Sequence, residues 1–103
     1  MKFETTAAFD RDFTKLAKEH QLLFRTALRE YFLPAVQAGA FTGRTTWPPR
    51  LRIHHLHGTN VYSLTWSFAS PDGRATFHLD TDGSGEAVLI WRRIGNHRIY
   101  NQP

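Results

Sequence analysis

Residues 61–80, VYSLTWSFASPDGRATFHLD, decide the fold class. Two alternating runs flank a turn. In 74–79, Ala75, Phe77 and Leu79 share one face while Arg74, Thr76 and His78 share the other, the period-two pattern of a strand with one buried side. In 61–68, Tyr62, Leu64, Trp66 and Phe68 alternate with Val61, Ser63, Thr65 and Ser67. Between them Ser70, Pro71, Asp72 and Gly73 are the residue types of a tight turn, so the two runs pair antiparallel. Small hydroxyl side chains then lie beside Arg74 and His78, which leaves room for a ligand.

Toward the C-terminus, 87–94 (AVLIWRRI) is apolar on both faces until Arg92 and is expected in the middle of the sheet. Arg92 and Arg93 are consecutive, so one is expected in the groove and the other on a rim. Toward the N-terminus, 51–57 (LRIHHLH) is a further strand candidate, with turns at 58–60 and 81–85. Residues 39–50 form a loop stiffened by Trp47-Pro48-Pro49.

Upstream the periodicity changes. Phe13, Leu16, Ala17, His20, Leu23, Phe24, Ala27, Leu28, Tyr31 and Phe32 recur at helical spacing. One long helix fits, and so does a hairpin broken near Lys18 to His20, which is the preferred reading. Pro34 falls in a last turn or a kink. Residues 2–9 read as a short strand, with Asp10 as cap of the following helix and Asp12 in its first turn. The expectation is one α+β domain over 1–103. A short strand and a helical hairpin pack on one face of a mainly antiparallel sheet, in the order β-α-α-β-β-β-β.

The 103 residues include no cysteine, which excludes disulfides and thiolate metal sites. No apolar run is long enough to cross a bilayer, and the acids of MKFETTAAFDRDF do not suit a secretory signal. A cytoplasmic protein is expected. The net charge of +4 favours a polyanionic partner. Beyond residue 50 the permanent cations are all arginines, Arg52, Arg74, Arg92, Arg93 and Arg98, a choice that suits bidentate phosphate recognition. His55 and His57 share a strand face, but no third ligand is evident, so no metal site is expected. His54, His55 and His57 are read as groove-lining or surface groups, and His20 as packed or capping. Phe13, Phe24, Tyr31, Phe32, Phe77 and Trp91 are read as core; Trp47 and Trp66 stay open between core and stacking surface.

The tail, AVLIWRRIGNHRIYNQP at 87–103, gathers Arg92, Arg93, His97, Arg98 and Tyr100. Guanidinium groups hold phosphate, an imidazole or phenol moves protons, and an aromatic ring stacks a base. The same residues also suit a merely solvated strand end.

The strand, helical pair and meander with a charged aromatic tail resemble the RelE/ParE superfamily of type II toxins. IGNHRIY is similar to that superfamily's C-terminal ending, and WRRIG with the following histidine resembles a subgroup frequent in actinomycete genomes. The resemblance implies a metal-independent, cofactor-free mRNA interferase. Such an enzyme cleaves mRNA in the ribosomal A site and is held inactive by a cognate antitoxin. It further implies Arg74, His97 and Tyr100 as catalytic residues: Arg74 steadies the transition state, and His97 and Tyr100 move protons and position substrate. Arg52, His54, His78, Arg92, Arg93 and Arg98 would bind RNA. His54 and His55 depart from the permanent cations common at those positions, Ser63 replaces a common acid, and Arg98 stands where an acid is frequent. The alternative is a non-nuclease relative that inhibits gyrase, or an inactive antitoxin-binding module.

Overall fold

The computed structural model describes residues 1–69 and 73–103; Ser70, Pro71 and Asp72 of the expected turn lie outside the described residues. The fold is α+β. Strands β1 (Lys2–Thr5), β2 (His54–His55), β3 (Tyr62–Thr65), β4 (Arg74–Thr81) and β5 (Ala87–Gly95) form one sheet in the order β1-β5-β4-β3-β2. β1 runs parallel to β5 and the other pairs are antiparallel. β5 is therefore an interior strand, and β4 holds the middle.

The first strand is shorter than the alternation suggests. It stops at Thr5, and α1 (Ala7–Lys15) begins three residues before the expected cap Asp10. Thr6 is the cap. Its hydroxyl accepts from the Phe9 amide at 3.0 Å and donates to the Arg92 carbonyl at 2.7 Å, so one side chain starts the helix and pins it to β5. The hairpin turns at Leu16 and Ala17, both in extended backbone. Gln21 staples the corner by donating to the carbonyls of Phe13 (2.8 Å) and Leu16 (3.3 Å). α2 (Lys18–Ala27) continues through a π-helical turn at Leu28–Phe32 into a last α-helical segment, Leu33–Gln37. Pro34 sits in the first turn of that segment, and the widened turn before it accommodates a ring that cannot donate and that crowds the preceding turn.

The core lies between the helices and one sheet face. Phe32 and Phe77 are fully buried, and Trp91 packs against both at ring distances of 5.4 and 5.2 Å. Burying each such ring stabilises by roughly 1.5–3 kcal/mol. Ala75, Phe77, Leu64 and Leu89 supply the sheet side of this core, in the phase the alternation sets. Trp47 stacks on Phe32 at 5.2 Å, and the Trp66 indole, 3 % exposed, donates to the Arg74 carbonyl at 2.9 Å. Both are thus packing groups. Phe13 and Tyr31 lie at the core's margin, and Leu23, expected inside, is exposed.

The expected strand at 51–57 contracts to His54–His55. Pro49–Leu51 make a 3-10 turn, and Arg52 follows in the left-handed region with φ 47°, which no strand tolerates. His57 lies beyond the strand, so it does not share a strand face with His55. His55 packs against Tyr62 instead, at 4.9 Å between rings.

Candidate functional site

The polar face of the sheet is the side away from the helices. β4 presents Arg74, Thr76 and His78 there; β3 presents Ser63 and Thr65, which pair with Thr76 and Arg74. Arg74 also pairs with Gly95 on β5. Ser63, Thr65, Ser67 and Thr76 are nonetheless buried. What covers part of this face is the segment that follows β5.

That segment turns at Asn96, whose side chain accepts from the Arg98 amide at 2.9 Å and caps the 3-10 turn His97–Asn101. Ile99 settles over Gly95; a Cβ on Gly95 would approach the Ile99 side chain to 3.2 Å. Tyr100 reaches Ser63, hydroxyl to hydroxyl at 2.6 Å. The Pro103 backbone oxygen accepts from Thr76 at 3.0 Å and from Arg92 Nε at 3.0 Å. Tyr100 is thus carried to the face on which β4 presents Arg74, and His97 begins the same 3-10 turn. Arg74 extends from β4 beside Thr65, and the other two sit on the segment laid across the neighbouring strands.

The expectation that Arg92 and Arg93 face opposite sides is corrected by the register. Thr76 pairs with Arg93 and Phe77 with Trp91, so Arg92 is an extra residue in β5, a β-bulge. The bulge turns both arginines toward the polar face. Arg92 donates to His78 Nδ1 at 3.1 Å, which leaves that ring neutral with its proton on Nε2. Burial, and next the Arg92 charge, lower the His78 pKa, against a smaller opposing pull from Asp80. Arg93 is held elsewhere. Its Nε and Nη2 donate to the two carboxylate oxygens of Asp12 at 2.6 and 3.1 Å, and its Nη1 to the Gln102 carbonyl at 3.2 Å. The Asp12 hydrogen bond raises the Arg93 pKa. Asp12, expected in the first turn of the helix, falls in the second because α1 starts at Ala7; it also accepts from the Ile94 amide and so ties α1 to the bulged strand.

The remaining sequence candidates divide. His54 is exposed, with Nδ1 at 2.8 Å from the Arg52 carbonyl and its ring 6.5 Å from the Tyr100 ring, so it borders the covering segment. His97 and Arg98 are exposed on that segment. Arg52 is exposed at one end of the polar face and lines a small cleft with Arg50, Thr65, Ser67 and Phe68. A larger cleft of about 270 Å³ opens beside Gly73 and Gly95, lined also by Leu16, His20, Trp66 and Asn96. His20, expected to be packed or capping, is exposed and stands 5.6 Å from Trp66, ring to ring. Among the described residues no group of three or more histidine, cysteine, aspartate or glutamate side chains is placed to share a metal ion. No described helix is long and apolar enough to cross a membrane.

Sequence reasoning missed Arg50 and Phe68 as surface groups. Arg50 lies in the Pro-Pro loop, and Phe68 continues the apolar alternation of β3 past the strand's end. The signal available was the short distance from Arg50 to Arg52 in sequence. A scan against protein-family models finds no match, and searches of curated proteins and of solved structures find no significant relative.

Proposed function

We propose that the chain is a metal-independent RNA endonuclease of the toxin-antitoxin kind, acting on mRNA in the ribosomal A site. The observation that carries the reading is the convergence on one sheet face of Arg74, the His97–Tyr100 segment and a row of hydroxyl groups. In the reaction the ribose 2′-oxygen attacks the adjacent phosphorus. The O2′–P bond forms, the P–O5′ bond breaks, the 2′ proton leaves to a base, and the 5′-oxygen takes a proton from an acid. The products are a 2′,3′-cyclic phosphate and a 5′-hydroxyl. RNA supplies its own nucleophile, so the protein needs a cation at the phosphate and proton carriers beside it. Arg74 supplies the cation, His97 the proton transfer, and Tyr100 the positioning of the ribose. Arg52, His54, Arg92 and Arg98 extend the basic surface, and His78 stands beside Arg92 on it. Arg93 contributes through its clamp on α1. A cognate antitoxin with an acidic segment would neutralise this face.

The test is to express the wild type and Arg74→Ala in a translating extract with metal chelated from the purified protein beforehand, then map mRNA 5′ ends. Cleavage by the wild type, lost in the variant and leaving cyclic phosphate, is the expected result; intact mRNA with the wild type refutes it.

One observation favours a second reading. The Tyr100 hydroxyl is engaged by buried Ser63, and residues 102 and 103 are tied down over the face. A face closed in this way suits a non-nuclease relative directed at gyrase, or an inactive antitoxin-binding module. Inhibited supercoiling with intact mRNA would favour it.

A further inference from the structure

Arg50, Phe68 and Tyr31 form a cluster at the edge of the polar face. The Arg50 guanidinium lies 4.8 Å from the Tyr31 ring centre and 5.4 Å from that of Phe68. Its Nη1 donates to the Tyr31 hydroxyl at 2.7 Å, and the Tyr31 and Phe68 rings meet edge to face at 5.4 Å. The cation is thereby held against two rings, which lowers the entropic cost of using it. Phe68 is nevertheless 39 % exposed, a large ring left facing solvent beside a fixed cation. Next to it a cleft of about 80 Å³ is lined by Arg52 and by the hydroxyl residues Thr65 and Ser67. Thr65 is the cross-strand neighbour of Arg74. Arg52 takes a left-handed backbone conformation, unusual for a residue with a side chain and one that concentrates at ligand sites.

We infer that this cluster is a nucleobase subsite for single-stranded RNA, holding the base of a nucleotide beside the phosphate that reaches Arg74. The cleft is too small to enclose a base. The base lies across its mouth on the exposed Phe68 ring and the edge of the Arg50 plane, while the adjoining phosphate turns into the cleft toward Arg52. Stacking of this kind tolerates every base, because each has a π face. Thr65 and Ser67, which line the cleft, face that phosphate. The inference rests on the RNA reading of the same sheet face and names a subsite within it.

The experiment is binding of a fluorescent single-stranded RNA hexamer, followed by anisotropy, with the wild type, Phe68→Ala, Phe68→Trp and Arg50→Ala. A second set of hexamers carries one abasic nucleotide at each position in turn. Phe68→Ala should weaken binding by about 5- to 100-fold, and Phe68→Trp should retain it. One abasic position should weaken wild-type binding and erase the difference between wild type and Phe68→Ala. Phe68 is exposed, and unchanged melting temperatures confirm that the variants fold. RNA binding that is equal in wild type and Phe68→Ala overturns the subsite and leaves the RNA reading standing. Absence of RNA binding by the wild type overturns both.

Discussion

Replacing Asp12 by Asn should loosen the whole molecule. Asp12 accepts from Arg93 at 2.6 and 3.1 Å and from the Ile94 amide at 3.2 Å. A hydrogen bond to a charged partner contributes about 1.5–3 kcal/mol when shielded, and an exposed ion pair about 0–1 kcal/mol. The side chains here are 27 % and 18 % exposed, so the pair falls between these limits. Asparagine keeps one acceptor and loses the charge and the two-pronged geometry. The expected cost is about 2 kcal/mol, and about 3 kcal/mol for Asp12→Ala, which also leaves the Ile94 amide without its partner. In a domain of this size 2 kcal/mol lowers the melting temperature by roughly 8–16 °C. Thermal melts at pH 7 measure it, and a double-mutant cycle with Arg93→Met should return a coupling of about 1–2 kcal/mol. A shift below about 3 °C, or additive single variants, refutes the claim that this pair fastens α1 to the bulge.

Other expectations concern separate parts of the fold. Arg52→Gly relieves the left-handed backbone, so stability should hold or rise by up to ~1 kcal/mol. The slope of log RNA affinity on log salt should fall by about 1, read from a salt titration. His78 titrates below its ordinary value of 6.5, so the folded state sheds that proton first. Its contribution is complete above pH 6.5 and is lost as the pH falls through the lowered value; urea midpoints from pH 5 to 8 should show a shallower acid loss in His78→Gln. Gly73→Ala would bring a Cβ to 2.8 Å from the Trp66 ring and from the Ser67 side chain. It should cost about 1–3 kcal/mol by denaturant melts. Tyr100→Phe removes the partner of the fully buried Ser63 hydroxyl, a loss of about 1–3 kcal/mol by the same measurement.

The strand phases at 62–65 and 74–79 were legible because one face is apolar and the other is not. The bulge at Arg92 was hidden for the opposite reason: AVLIW is apolar at every position, so nothing in the pattern marks a shift of register. Thr5 and Thr6 suit a strand and a cap equally, and only the pairing of β1 with β5 decides between them. Arg52 carries no sequence mark of its left-handed backbone, since glycine is the usual resident there. For the candidate site, the shared face of Arg74 and His78 could be read directly. The lie of residues 97–103 across that face could not, because besides the Tyr100–Ser63 hydroxyl pair its ties are backbone oxygens of Gln102 and Pro103, which have no side-chain signature. Asn96 before the 3-10 turn was the one readable clue.

The parallel seam between Lys2–Thr5 and residues 88–91 gives the chain a particular birth order. Synthesis must pass Trp91 before the earliest strand has a neighbour, and pass Ile94 before Asp12 meets Arg93. Until then a nascent chain holds helices with their apolar side bare and a sheet short of an interior strand, a state apt to stick to itself. Slowing translation ahead of residue 87 should therefore lower the soluble yield.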